Sequence, residues 1–190
     1  MPMLVRTMHA TALLLLSLSS LAADTNDRDR QLAMQLAIEL KAALAAALQG
    51  PAEGAIAVCN ERAPQIAKKI AQDNTVKIGR TALKLRNPSN APTEWQRAVL
   101  LDFQNRVASG EAIASLEYST TAQVNGQVEH RYMKAIGVEP LCVTCHGVQI
   151  APAVKEAIRV KYPADAATGF SVGDLRGAVY VVRSGNTAHK

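Results

Sequence analysis

The sequence predicts an α+β fold in a single domain. Helical periodicity fills the first half, an Asn-Gly turn between two runs rich in β-branched and aromatic residues marks a hairpin in the second, and "GAVYVVR" closes it as a further strand. Helices leading into an antiparallel sheet define that class. At 190 residues and 48% apolar composition the chain has material for one core, and a second full domain is not expected.

The first residues read differently from the rest. Arg6 gives a positive start, "ATALLLLSLSSLA" an apolar run, and Ser20, Ala22 and Ala23 the small residues of a cleavage site. A signal peptide over residues 1–22 is therefore expected, cut after Ala22 or Ala23, because Asp24, Asn26, Asp27 and Arg28 follow at once. The run is too short for a membrane helix, and no other stretch approaches the roughly 20 apolar residues a span needs. The mature chain is expected in the periplasm, soluble and without a membrane span. Its basic residues are scattered and lack interleaved aromatics, which argues against a nucleic-acid partner despite a formal net charge of +5.

Residues 26–50 form the N-terminal helix, with Leu32, Leu36, Leu40, Leu44 and Leu48 four apart and Gly50-Pro51 as the stop. That stripe packs on its own domain or on a second copy of the chain, which would make a homodimer. The remaining domain spans 51–185. It begins with "EGAIAVCNERAPQIAKKIAQD", a helical region interrupted near Pro64, because the residue before a proline is pushed out of the helical well. Cys59, Ala63, Ile66 and Ile70 share its inward side. "KLRNPSNAP" is turn chemistry. Thr93 and Gln96 make a capping box for a third helix whose inward side holds Trp95, Val99, Phe103 and Val107, closed by Gly110.

Asn125-Gly126 is a hairpin turn. If Val124 pairs with Gln127, Tyr118 faces Met133 and Thr121 faces His130. One sheet face then carries Leu116, Tyr118, Met133 and Ala135; the other carries Glu117, Ser119, Thr121, His130, Tyr132 and Lys134 and reads as the solvent side. "APAVKEAIRVKYP" follows as a short helix stopped by Pro163.

Between hairpin and helix lies "EPLCVTCHGV", in which Cys142, Cys145 and His146 spell C-x-x-C-H. In c-type attachment the two thiols add to the vinyl groups of a haem and the histidine coordinates the iron, which requires this order and spacing. Export is the right address for that chemistry. Closed zinc sites need four ligands, and a second C-x-x-C or an H-x-x-x-H is missing. A thioredoxin-like pair would start a helix in a βαβ setting, whereas this one follows a hairpin and Pro140. One covalent haem c is expected, with His146 axial.

The sixth position of the iron has several candidates on sequence alone: Cys59, Met133, His130, water or an exogenous ligand, with His189 in a polar tail. Met133 would make a His/Met carrier; Cys59 would account for an odd cysteine in an oxidising compartment.

The segments "AIAVCNERAPQIA", "LKLRNPSNAPTEW", "HRYMKAI", "LCVTCHG" and "KYPADAATGFSVGDLRGA", in that order, resemble a family of exported monohaem c-type proteins with a PAS-like fold. That family is catalogued as a domain of unknown function and occurs alone or as the sensory part of membrane histidine kinases. The resemblance implies a PAS-like antiparallel sheet with flanking helices, and a haem held between a motif histidine and a cysteine of the early helical segment, here His146 and Cys59. Arg86, Lys161 and Arg176 lie in matching segments and are candidates for the haem propionates.

No G-x-S-x-G, phosphate-binding glycine loop or second metal cluster is present, so an enzyme is the weakest expectation. The reading is a periplasmic cytochrome that carries electrons to or from a redox partner protein. Its alternative is a redox or CO/NO sensor acting on a signalling partner.

Overall fold

The computed structural model describes residues 8–185, with their side chains from Asp24 onward. The leader expected over residues 1–22 falls on residues 1–7 and on side chains outside that part, as does His189. Helix α1 (Met8–Ala47) carries the leucine stripe onto its own domain. Leu32, Leu36 and Leu40 are buried against Ile66 and Ile70 of α3 (Ala63–Asn74) and against Tyr132, Val179 and Val181 of the sheet. A fully buried leucine such as Leu36 contributes about 1.5–3 kcal/mol. Leu44 and Leu48 lie beyond this core and line the cavity described below. Among the described residues no helix is long and apolar enough to cross a membrane.

The helical region after Pro51 differs in one respect from expectation. It does not break at Pro64. Helix α2 (Ala55–Ala57) runs into a π turn over Val58–Arg62 and then into α3, and Ala63, directly before the proline, keeps helical angles at φ −60° and ψ −44°. The Ala63 N–H reaches back to the Val58 carbonyl, five residues away. Proline has no N–H to give, and the wider turn takes up the mismatch without a break. Cys59 lies within that turn.

The sheet is antiparallel throughout, in the order β1-β4-β3-β2. β2 (Glu117–Val124) and β3 (Gln127–Gly137) form the expected hairpin, with Val124 opposite Gln127, Tyr118 opposite Met133 and Thr121 opposite His130. β4 (Leu175–Ser184) is the predicted last strand. β1 (Lys77–Thr81) pairs with it and has no counterpart in the sequence reading.

Both faces of the sheet are covered. Helix α4 (Glu94–Ala108) packs Val99, Leu100 and Phe103 onto Leu116, Met133, Ala135 and Ala178, with Trp95 and Val107 at the margins. Its capping box forms as expected, the Thr93 N–H donating to Gln96 Oε1 at 2.9 Å. The face read as the solvent side is instead roofed by α1 and α3, and Tyr132 there is only 1% exposed. Alternation separates the two faces of a strand but does not say what lies on each. The polar residues of this face are answered from α1. Asp29, fully buried, accepts from His130 Nδ1 at 2.9 Å and from Arg183 Nη2 at 2.8 Å, and Arg30 clasps Glu117 at 2.8 Å.

Helix α6 (Pro152–Lys161) sets Val154 and Ile158 against Ile56 and Tyr162, a small core beside the C-x-x-C-H segment.

Candidate functional site

Cys142 ends a 3-10 turn (Pro140–Cys142), and Cys145 and His146 lie on the single-turn helix α5 (Val143–His146) that continues it. The turn closes through the Gly147 N–H, which donates to Val143 O at 2.9 Å. A side chain at Gly147 would put its Cβ 2.5 Å from that same oxygen, so the residue after the histidine must be glycine for the turn to end as it does.

His146 Nδ1 lies 2.6 Å from the Ala167 carbonyl oxygen. A carbonyl only accepts, so Nδ1 carries the proton and Nε2 keeps its lone pair, available to bind a metal. Burial, followed by the nearby Arg176 and Arg86 cations, pushes this imidazole down to about 3, and it is neutral at ordinary pH. Phe170 stands edge-on to the ring at 6.4 Å.

Arg86 holds the backbone around this histidine. It is 7% exposed. Its Nε and Nη2 grip Asp165 at 3.2 and 3.0 Å, while Nη2 also donates to Cys145 O at 2.5 Å and to Ala167 O at 3.3 Å. Asp165 in turn accepts from the Ala167 N–H at 2.9 Å. One guanidinium thus ties the motif to the segment that fixes the His146 tautomer.

A cavity opens beside the motif. Cys59, Cys142, Cys145 and His146 all line it, with Leu44, Ile56, Leu85, Ile136 and Leu141 among its apolar walls. An adjoining groove along α1 shares Cys59, Cys142, Leu44, Ile136 and Leu141 with it. All three cysteines are free thiols, and burial raises the Cys145 thiol above its ordinary value. Among the described residues no three His, Cys, Asp or Glu side chains converge as a metal cluster. The sulfur and nitrogen donors line one cavity together, which leaves room there for a group larger than a single ion.

The other residues singled out from the sequence take varied places. Met133 is fully buried in the α4 core, on the opposite sheet face from Ile136, and does not line the cavity. His130 is engaged with Asp29. Arg176 lines the cavity; Arg86 reaches it too, but is committed to Asp165 and the two carbonyls. Lys161 is exposed at the end of α6 and absent from the lining. Two cavity cations, Arg80 and Lys84, were missed. Recognising β1 would have placed Arg80 on the same face as Ile78, but Lys84 sits in a loop with no motif around it.

The fold and site define a class: a one-domain α+β protein built round a C-x-x-C-H segment, with a third cysteine brought to it from a distant helix. The chain matches the Tll0287-like family over residues 8–184 and belongs to that family. This bears out the resemblance drawn from the sequence segments. Among solved structures it is similar to the crystal structure of the cyanobacterial heme-protein Tll0287, at 30% identity and a TM-score of 0.59, covering 88% of this chain and 93% of that one. No curated protein matches.

Proposed function

We propose that the chain is a monohaem c-type protein that carries single electrons in the periplasm, with thioethers at Cys142 and Cys145, and with His146 and Cys59 as axial ligands. The observation that carries this reading is the arrival of Cys59, from a helix far away in sequence, at the cavity lined by the C-x-x-C-H residues. The haem protein Tll0287, similar over most of the chain, supports haem as the occupant. A covalently held haem supplies one-electron exchange at a potential set by its axial ligands and surroundings.

The chain's own residues do the rest. The Ala167 carbonyl holds the His146 proton on Nδ1, so that Nε2 is the donor. Cys59, as thiolate, would favour the ferric state over the ferrous one relative to a methionine in its place. With the haem in place the apolar walls would limit water at the donors and lower the local dielectric. Electrons pass to or from a separate redox partner protein.

The second reading, a sensor of redox state or of CO or NO, has one specific observation in its favour. Cys59 sits in a π turn, a local irregularity common at functional sites, whose return to α-helical winding would move the sulfur. In that reading a signalling partner responds to ligand exchange at Cys59.

The deciding experiment compares exported, matured wild type with Cys59→Ala. The wild type is expected to be coloured, heavier than its polypeptide by one haem, and to show the narrow ferric g-spread of thiolate ligation. Cys59→Ala loses that spread. Unchanged absorption of the reduced wild type under CO supports the carrier; a shifted Soret band supports the sensor. A colourless product ends both.

A further inference from the structure

We infer that Arg80, Lys84 and Arg176 form a cradle for the two propionate carboxylates of the haem, with Arg80 and Arg176 as the main anchors and Lys84 at the rim. The inference rests on the haem reading above and names how that group would be oriented.

Four cations line the cavity: Arg80, Lys84, Arg86 and Arg176. Arg86 is neutralised by Asp165, with both side chains less than a tenth exposed. Among the described residues no ion pair involves any of the other three. Arg176 makes do with a backbone partner, Nη1 donating to Lys84 O at 3.1 Å, and lies 5.3 Å over the Phe170 ring. Lys84 Nζ lies over the same ring at 5.0 Å and donates to Thr168 O at 3.4 Å. Phe170 therefore draws two like charges together while it stands edge-on to His146.

Arg80 approaches from β1, the strand hydrogen-bonded to β4, which carries Arg176. Burial, together with repulsion from Arg86 and Arg80, holds Arg176 down at about 10. Gathering these charges without a counter-ion is unfavourable, and a dianion in the cavity reverses the sign. The fork of an arginine matches a carboxylate with two parallel hydrogen bonds. A porphyrin tied at Cys142 and Cys145 brings two carboxylates on flexible arms.

The test uses exported, matured holoprotein carrying Arg80→Gln, Arg176→Gln, either residue changed to Lys, or Lys161→Gln. Each Gln variant is expected to shift the propionate bending band in the resonance Raman spectrum. Each is also expected to displace the reduction equilibrium about tenfold toward ferric, or about 59 mV for one electron. The Lys variants restore the potential but not the band, because a point charge lacks the fork. Lys161→Gln changes neither. Should a Gln variant fail to mature, the band of the matching Lys variant decides.

Bands at the wild-type position in coloured Arg80 and Arg176 variants overturn the inference. So does a wild-type band or potential that moves on addition of inorganic phosphate, which would assign the cations to a free anion. A colourless wild type is a different failure, that of the haem reading itself.

Discussion

Replacing Arg86 with alanine removes a side chain that joins the loop after β1, the C-x-x-C-H turn and the 165–167 segment. Four hydrogen bonds disappear together, two to Asp165 and one each to the Cys145 and Ala167 carbonyls. The Asp165 carboxylate, 9% exposed, is left buried without its cation. Breaking such a pair from one side costs about 3–5 kcal/mol. At about 2–4 °C per kcal/mol for a domain of this size, the midpoint of thermal unfolding should fall by about 6–20 °C. Arg86→Lys should recover little, since an ammonium cannot span both carboxylate oxygens and both carbonyls. The double change Arg86→Met with Asp165→Leu should recover most of the loss, because an apolar pair leaves no charge stranded. Far-UV circular dichroism followed through heating of the matured protein measures all four forms. A loss under about 1 kcal/mol for Arg86→Ala, the range of a solvated surface pair, would refute the reasoning.

Three further expectations use the same physics. Phe103→Ala, at a position with no exposure in the α4 core, should cost about 3–5 kcal/mol in urea unfolding. Asp29→Ala leaves His130 and Arg183 without their shared acceptor between α1 and the sheet, and should cost about 2–3 kcal/mol on the same assay. Burial works to raise the Glu117 carboxyl, but hydrogen bonds from Arg30 and Lys134 overcome it and hold it below its ordinary value. A carboxyl depressed in the folded state adds stability above its unfolded pKa, about 4.3, and loses it as pH falls through the folded value. Glu117→Gln should accordingly flatten the acid limb of stability against pH, and equal slopes in both proteins would count against it.

Helix α4 and the hairpin were legible because their signals are local: a cap three residues from its partner, and a two-residue turn that sets register on both sides. The C-x-x-C-H motif was legible for the same reason. β1 was not. Its five residues carry a central glycine, and the strand it pairs with lies about a hundred residues later, so neither period nor turn announces it. At Gly79 a Cβ would meet the Tyr180 hydroxyl across the strand at 2.7 Å, so a larger residue would have to push that ring aside, a matter of tertiary packing with no trace in the local pattern. The cavity cations divide along the same line. Arg86, Lys161 and Arg176 drew notice by lying in recognisable segments; Arg176 does line the cavity, whereas Arg86 is locked to Asp165 and Lys161 faces solvent outside it. Arg80 is found only once β1 is known.

The carrier and the sensor differ in what they ask of the helix that holds Cys59. A carrier gains from a sulfur that stays put in both oxidation states, since unchanged ligation keeps reorganisation small; a sensor needs that sulfur to leave in one of them. The two sides of the site are unequally supported. His146 belongs to a turn closed by the Gly147 N–H on Val143 O and fastened by Arg86, which bonds Asp165 and the Cys145 and Ala167 carbonyls, with both side chains of that ion pair less than a tenth exposed. Cys59 belongs to a π turn that, like the His146 turn, has no side-chain cap and no buried residue of its own, but among the described residues no side-chain hydrogen bond reaches residues 58–62, which lie between helices anchored by Ile56 on one side and by Ile66 and Ile70 on the other. Local opening favours the segment with fewer cross-links, so hydrogen exchange should show opening first on the cysteine side. Either function would thus be tuned at residues 58–62, by packing that lets the turn keep or lose its extra residue, and not within the C-x-x-C-H segment.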